Sequence, residues 1–434
     1  MDAVITPTIR YQEAINRLYG LQKYGIKFGL SKTTNLLTKF GNPQVGQRYI
    51  HIAGTNGKGS AAAFIAAVLQ QAGLKVGLYS SPHLVRFTER FQINNREMDQ
   101  DTAVDLMEAL HEAFVQEEPP TFFEVTTAMA LIYFAREKTD LSILEVGMGG
   151  RLDATNVITP VVCGIASIGM EHRGFLGNRL TDIAREKAGI IKPGVDVITS
   201  VSQPAVIDIV KAIALQKKAP LWRVGNEIRY RTTRKGFHYT GPHLRLEGLS
   251  LGLKGAFQSR NAALALGIVE RLIQKGYAIS AGDVRDGLAH TRWPGRMQVV
   301  SHAPLIIVDG AHNPPAIRTL AASVRKGFTY ERLILVIGVM ADKDLYPVLK
   351  GIVPLADYTI YSRPVYARAA PPERLMATAA PLGKPGEIAA TLPQALDRAR
   401  KMADPRDMIL VCGSLFTVGE ALTYFDPVTF KPDE

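Results

Sequence analysis

Two cysteines in 434 residues exclude a disulfide framework and a cysteine-rich zinc centre. Cys163 and Cys412 sit far apart inside apolar, strand-like runs, which suits small buried hydrophobes in a reducing compartment. No stretch approaches the roughly 18 consecutive apolar residues of a membrane helix. The start, MDAVITPTIRYQEAINRLYG, lacks the basic region and apolar core of a secretory signal. The expectation is therefore a cytoplasmic protein without a membrane partner. The formal charge of +11 invites a nucleic-acid reading, but no run of Lys and Arg interleaves with aromatics and no zinc-finger or RNA-binding signature occurs. Nucleic acid is excluded as the expected partner; the basic balance serves either small anionic ligands or solubility alone.

What is present is an ordinary globular composition, 47% hydrophobic and 21% charged, on a chain long enough for two cores. Short apolar runs, RYIHIAG, LKVGLYS, LSILEVG, VVCGIASIG and VDVITSV, alternate with helical patterns, the signature of βαβ units in a mostly parallel sheet. Between Arg229 and Leu253 the pattern breaks into short alternating pieces, which predicts antiparallel strands closing a first domain. After Trp293-Pro294-Gly295-Arg296 a second α/β series begins with APLIIVDG, RLILVIG, DYTIYS and DMILVCG. The expected domains are residues 1–297 and 298–434, both α/β.

The most informative segment is His51-Ile52-Ala53-Gly54-Thr55-Asn56-Gly57-Lys58-Gly59-Ser60. It joins a strand to a helix through a glycine-rich turn whose backbone N–H groups and lysine suit the phosphates of a nucleotide, with a helix expected to begin near Ser60. Gly59 between Lys58 and the hydroxyl of Ser60 departs from an ordinary Walker A loop. Other candidates have bland readings beside them. Glu145 ends a strand before Gly147-Met148-Gly149-Gly150, and from position alone a solvent-facing carboxylate fits better. Ser81-Pro82 reads as a turn and His172 as a structural histidine. Lys187 reads as a surface lysine pairing with Glu186, Asp182 or Glu171. Asn261 is as good an N-cap as a ligand contact. Phe122 and Phe123 read as core residues, or as a stacking pair beside Glu124 for a flat heteroaromatic ring.

The order GTNGKGS resembles the Mur ligase superfamily, and the glycine before the hydroxyl points to its folate branch. LTKFGNPQ, YSSPHLVRFTER, PTFFEVTTAMA, EVGMGGRLDATN, MEHRGFLG, REKAGIIKPG, RWPGRM, DGAHNP and VCGSLFTVGEA look like blocks of the folylpolyglutamate synthase and dihydrofolate synthase family, in family order, from about Leu37 to Ala421. The resemblance implies a P-loop central domain with a mostly parallel sheet and a smaller Rossmann-like C-terminal domain. It implies a ligase that adds L-glutamate to 7,8-dihydropteroate and to tetrahydrofolate, using ATP and two Mg²⁺ ions through an acyl phosphate. By resemblance, Gly54, Thr55, Asn56, Gly57, Lys58, Gly59, Ser60, Asn261, Arg296 and Asp309 hold ATP. Ser81, Glu145 and His172 bind metal, and Lys58, Lys187 and His312 are catalytic, Lys187 as an N6-carboxylysine. Thr121, Phe122, Phe123, Glu124, Leu152, Asp153 and Ala154 contact the pterin side, with Tyr24, Gly25 and Ile26 nearby. Two departures stand out: Glu171 precedes His172 where the family has Asp, and GLSKTTNLL replaces a family Glu-Arg pair. A monomer is expected. The rival readings are a monofunctional folylpolyglutamate synthase, a Mur-type ligase with another acceptor carboxylate, and a P-loop switch that uses ATP only to change shape.

Overall fold

The computed structural model describes residues 7–25, 27–114 and 118–433. The first sheet has eight strands, and its spatial order departs from chain order. From one edge it runs Arg96–Glu97, Phe91–Ile93, Val76–Tyr79, Leu141–Glu145, Tyr49–Ala53, Val162–Ile165, Asp196–Thr199 and Leu221–Arg223. The six strands from Val76–Tyr79 onward are parallel, and the two outer ones add an antiparallel edge. Strands buried on both faces need no alternation, which is why Tyr49–Ala53 and Leu141–Glu145 are buried at every position. The strand Tyr49–Ala53 lies between Leu141–Glu145 and Val162–Ile165, so the glycine-rich turn leaves the sheet centre beside the Glu145 strand end.

The helix Lys58–Gln71 carries KGSAAAFIAAVLQQ and is apolar nearly all round. Such a helix has no solvent face, and it packs among the sheet, Gln258–Gln274 and Ala281–His290. It begins at Lys58, two residues before the expected start, because Gly57 is the left-handed N-cap. The segment read as antiparallel forms a three-stranded sheet, Arg229–Thr233, Gly236–Thr240 and Arg245–Leu249.

The C-terminal sheet runs Gln298–His302, Leu305–Asp309, Met408–Cys412, Leu333–Ile337, Tyr358–Tyr361 and Gly386–Ile388, parallel except at its first strand. Cys163 and Cys412 are free and buried, as their apolar settings suggested. No helix among the described residues is long and apolar enough to cross a membrane.

Candidate active site

The glycine-rich loop is held from three sides. Thr55 is tied to the end of the Val162–Ile165 strand segment: its N–H donates to Ser167 O (2.7 Å) and its hydroxyl to Gly169 O (3.1 Å). Gly57 has φ +92°, a left-handed conformation that a side chain would strain, and a Cβ there would strike the Asn261 amide. A Cβ at Gly59 would stand 2.9 Å from Trp293 Nε1. The glycine that sets this loop apart from a Walker A sequence is thus the place where an indole lies against the first helical turn. Gly59→Ala is expected to cost about 5- to 150-fold in kcat/KM for ATP, an overpacking penalty of about 1–3 kcal/mol acting at the loop. Steady-state kinetics of G59A and of G59A combined with Trp293→Leu check it, since the shorter side chain restores room and part of the activity.

Asn261 does not cap its helix. The helix Gln258–Gln274 is capped at Phe257, so Asn261 lies inside the first turn. Its buried amide donates to Gln258 Oε1 (2.8 Å), and Gln258 Nε2 reaches Ser60 Oγ (3.3 Å). A local capping pattern gave way to tertiary packing against the loop.

Lys58 Nζ stands 3.6 Å from Glu145 Oε1, both side chains largely buried. Burial raises the Glu145 carboxyl above its ordinary range, opposed by the charges of Lys58 and Arg296 and by a backbone hydrogen bond from Ser81. The strand-end carboxylate therefore faces the loop, not bulk water. Lys187, near the end of the helix Leu180–Ala188, is only 3% exposed and donates to Gly54 O at 2.9 Å. The surface reading fails because its proposed partners are engaged elsewhere or turned away: Glu186 pairs with Arg151 and Asp182 with Arg185. Burial pushes the Lys187 ammonium down to about 7, and the neighbouring Lys58 charge adds to this.

From the C-terminal domain, Asn313 and Asn56 exchange amide hydrogen bonds (3.2 and 3.0 Å). Asn313 also N-caps the helix Pro314–Gly327. His312 Nε2 lies 3.4 Å from Glu171 Oε1, and His172 Nε2 lies 3.8 Å from the same oxygen. Burial works against the Glu171 charge, yet His312, His172 and Lys58 together hold its carboxyl below the ordinary range. Burial pushes His172 down to about 4 against the pull of Glu171, leaving a neutral ring with a free lone pair near pH 7. Glu171, read from the sequence as a departure and as one possible partner of Lys187, is the hub between the two domains here.

Asp309 is buried, and both its oxygens accept backbone N–H groups, from Met297 and Ala311 (2.9 Å each). Its carboxylate shapes the turns that carry Arg296 and His312. The Arg296 guanidinium lies against Gly310, where its charge reaches both Glu145 and Asp309.

The pterin-side candidates form a second cluster. Thr121 and Glu124 make a capping box for the helix Phe122–Arg136, with Thr121 N donating to Glu124 Oε2 at 2.7 Å. Phe122 and Phe123 are both half-buried; Phe122 stacks on Tyr19 at 5.6 Å, and Phe123 lies against Gly147. Asp153 caps the short turn Ala154–Val157 and accepts from Met148 N (2.8 Å), which orders Gly147–Gly150; Leu152 beside it is half-buried and Ala154 buried. Tyr24 ends the turn Leu21–Tyr24 next to Gly25, and Ile26 lies outside the described residues.

The donor set suits Mg²⁺. Glu145 offers a buried carboxylate, Ser81 adjoins it, and His172 presents an uncharged ring. No group of three His, Cys, Asp or Glu side chains converges as a metal cage among the described residues. Mg²⁺ rarely uses such a cage, taking one or two protein ligands together with phosphates and water.

Known families and structures share this architecture. The family described as Mur ligase middle domain matches residues 52–269, and the one described as Mur ligase, glutamate ligase domain matches residues 295–415. The Bacillus subtilis dihydrofolate synthase/folylpolyglutamate synthase is 35% identical over 80% of this chain and 83% of its own. Escherichia coli FolC in complex with DHPP and ADP superimposes with a TM-score of 0.88 at 33% identity, covering 95% of this chain and 98% of that one. A bifunctional folylpolyglutamate synthase/dihydrofolate synthase from Yersinia pestis, complexed with AMPPNP and Mn ion, gives 0.85 at 31% identity over 95% and 97%. The chain spans about half the length of two longer curated relatives, from Haloferax volcanii and Halobacterium salinarum. With a phosphate-type loop, a buried lysine and carboxylate beside it, and matches of this extent, the chain belongs to the folylpolyglutamate synthase/dihydrofolate synthase family of Mur ligases.

Proposed function

We propose that this chain is an ATP-dependent ligase that joins L-glutamate to the carboxylate of dihydropteroate and to the γ-carboxylate of tetrahydrofolates. The observation that carries the reading is the Lys58–Glu145 pair at the head of a glycine-rich loop, with Lys187 hydrogen-bonded to that loop. A carboxylate is inert to amines until a leaving group replaces its oxygen. The acceptor oxygen attacks the γ-phosphorus in line, the bond to the ADP oxygen breaks, and the acyl phosphate then loses phosphate to the amine of glutamate.

The protein's part is to hold and neutralise. Residues 54–60 turn backbone N–H groups toward the phosphates at the positive end of the helix Lys58–Gln71. Lys58 and Arg296 offset the transferring charge, Arg296 from the junction and His312 from the C-terminal side. Ser81, Glu145, His172 and a carboxylated Lys187 would hold Mg²⁺, which when bound neutralises the phosphates and the developing acyl phosphate. Phe122 and Phe123 would flank the pterin, with residues 152–154 at its edge. We read the protein as cytoplasmic, a compartment that supplies both ATP and L-glutamate. We put the boundary between nucleotide and glutamate ligase domains at 297/298, a reading supported by the pairing of Gln298–His302 with the second sheet.

Phosphate release with ATP, Mg²⁺ and L-glutamate, measured against 7,8-dihydropteroate, tetrahydrofolate and no acceptor, tests the proposal. A one-glutamate mass gain on both acceptors is the expected result. Gain on tetrahydrofolate alone leaves a monofunctional enzyme, and release without any acceptor leaves a nucleotide switch.

A further inference from the structure

Arg90 is a buried cation, 6% exposed, that no carboxylate among the described residues pairs with. The acids beside it in sequence are committed elsewhere. Glu89 accepts the backbone N–H groups of Leu84, Val85 and Arg86 (2.7, 3.0 and 2.8 Å), and Glu97 pairs with Arg86 and Thr88. Its close contacts are neutral, Nε donating to His83 Nδ1 (2.9 Å) and the guanidinium lying 5.2 Å from the centre of the Phe122 ring, while the Glu89 charge acts on it only as a minor influence without an ion pair. Because His83 accepts at Nδ1, its proton sits on Nε2, which faces the Tyr19 hydroxyl at 3.4 Å. Burial pulls the Arg90 pKa down, the signature of a charge lacking compensation.

A guanidinium has five N–H donors, and here only the one on Nε has a hydrogen-bond partner, while the terminal nitrogens are not sealed from solvent and remain open to a ligand. Such a group is retained where a ligand supplies the anion. The surroundings define that ligand. Tyr19 stacks on Phe122 on one side. Tyr366, stacked at 3.9 Å on Phe416 of the C-terminal domain, is near enough to bear on both Arg90 and Tyr19. The segment is fixed across the domains, since Arg86 Nη1 donates to Thr429 O and Lys431 O (3.1 Å each). The setting of Arg90 is therefore one planar cationic fork against the Phe122 ring, with an aromatic pair of the C-terminal domain within electrostatic reach.

We propose that Arg90 is the docking point for the α-carboxylate of a glutamyl unit, bound through paired N–H···O bonds between walls supplied by Phe122 and Tyr366. The proposal rests on the ligase reading and adds which group selects glutamate-bearing molecules. Two sources share this chemistry: the incoming L-glutamate, and the spare α-carboxylate of a tetrahydrofolate acceptor whose γ-carboxylate reacts. Dihydropteroate has no spare carboxylate, so it separates them.

The test compares full-length wild type with Arg90→Gln and Arg90→Lys, measuring KM and kcat for L-glutamate with each acceptor and for each acceptor with saturating L-glutamate. Loss of a charge-assisted pair raises the affected KM about 10- to 100-fold in Arg90→Gln, with kcat changed far less. Arg90→Lys, which keeps the charge but loses the fork, falls between. A higher KM for L-glutamate with both acceptors identifies the incoming amino acid. A higher KM for tetrahydrofolate, with dihydropteroate unchanged, identifies the acceptor. Unchanged KM values in both variants, or a loss of kcat alone, overturn the proposal. Should Arg90→Gln not fold, Arg90→Lys and Tyr366→Ala carry the same comparison. Wild type that glutamylates neither acceptor overturns the ligase reading itself, a result separate from any effect at Arg90.

Discussion

Replacing Lys58 with alanine is expected to lower turnover by at least about 10²–10³-fold, the scale of removing one preorganised charge from a phosphoryl-transfer site. The loss has two parts in this structure. Lys58 is the cation at the N-terminus of the helix Lys58–Gln71, and in the proposed site it would meet the phosphates. It is also the charge that most opposes the effect of burial on Glu145. Without it, the Glu145 carboxyl moves further upward and becomes protonated nearer to neutral pH, which weakens it as an oxygen ligand. The variant should therefore need more Mg²⁺ as well as turning over slowly. The fold is retained, since Lys58 adds little apolar packing and Glu145 can become neutral in place of an unpaired charge. Phosphate release across a Mg²⁺ titration, with thermal unfolding followed by circular dichroism, checks both parts. Activity above about a tenth of wild type would mean the phosphates are held elsewhere, because a central charge is worth far more than 1.4 kcal/mol.

The sequence disclosed the loop, the two α/β series and the antiparallel insert because each is written in local chemistry. Glycines, strand-length apolar runs and turn residues act over a few positions. The strand order was not legible. Nothing within LSILEV states that it inserts between Val76–Tyr79 and Tyr49–Ala53, yet that insertion brings Glu145 to the loop. The same limit explains Glu171, Asn313 and Arg90. Glu171 gains its role from histidines on two domains, and Arg90 gains its interest from lacking a carboxylate partner among the described residues, a property of the packed molecule. Asn313 had a readable signal that went unused: an Asn directly before Pro-Pro is an N-cap pattern, and the capping residue is also the one that reaches Asn56. Thr121 and Glu124 err in the opposite direction. Their capping box was available in the sequence as Thr-x-x-Glu, so part of the hydrogen-bonding capacity assigned to a ligand serves the helix.

Lys187→Met separates function from stability most sharply. The variant is expected to lose at least about 10²-fold in turnover if Lys187 supplies charge stabilisation at the metal site, while becoming more stable than wild type near neutral pH. The sign follows from the shift. Burial pushes the Lys187 ammonium down to about 7 in the folded protein from an ordinary lysine value of 10.5, so between these pH values the unfolded chain binds a proton that the folded one does not. Stability of the wild type consequently rises with pH across that window, and below it the full cost of a buried ammonium is present. Methionine fills a similar volume without a charge. The stability advantage of Lys187→Met should therefore be largest below pH 7 and shrink steadily toward pH 10, in parallel denaturant titrations of the two proteins. A constant difference across that range would place the Lys187 ammonium in contact with water, against the burial seen here. The same neutral amine is what carboxylation by CO₂ requires, since only an unprotonated nitrogen can attack the carbon. Incubating wild type with ¹³C-bicarbonate above pH 7 should give a carbamate carbon resonance that Lys187→Met lacks. If both proteins give the same spectrum, Lys187 acts as an amine that braces Gly54, and Glu145, Ser81 and His172 are left to hold the metal alone.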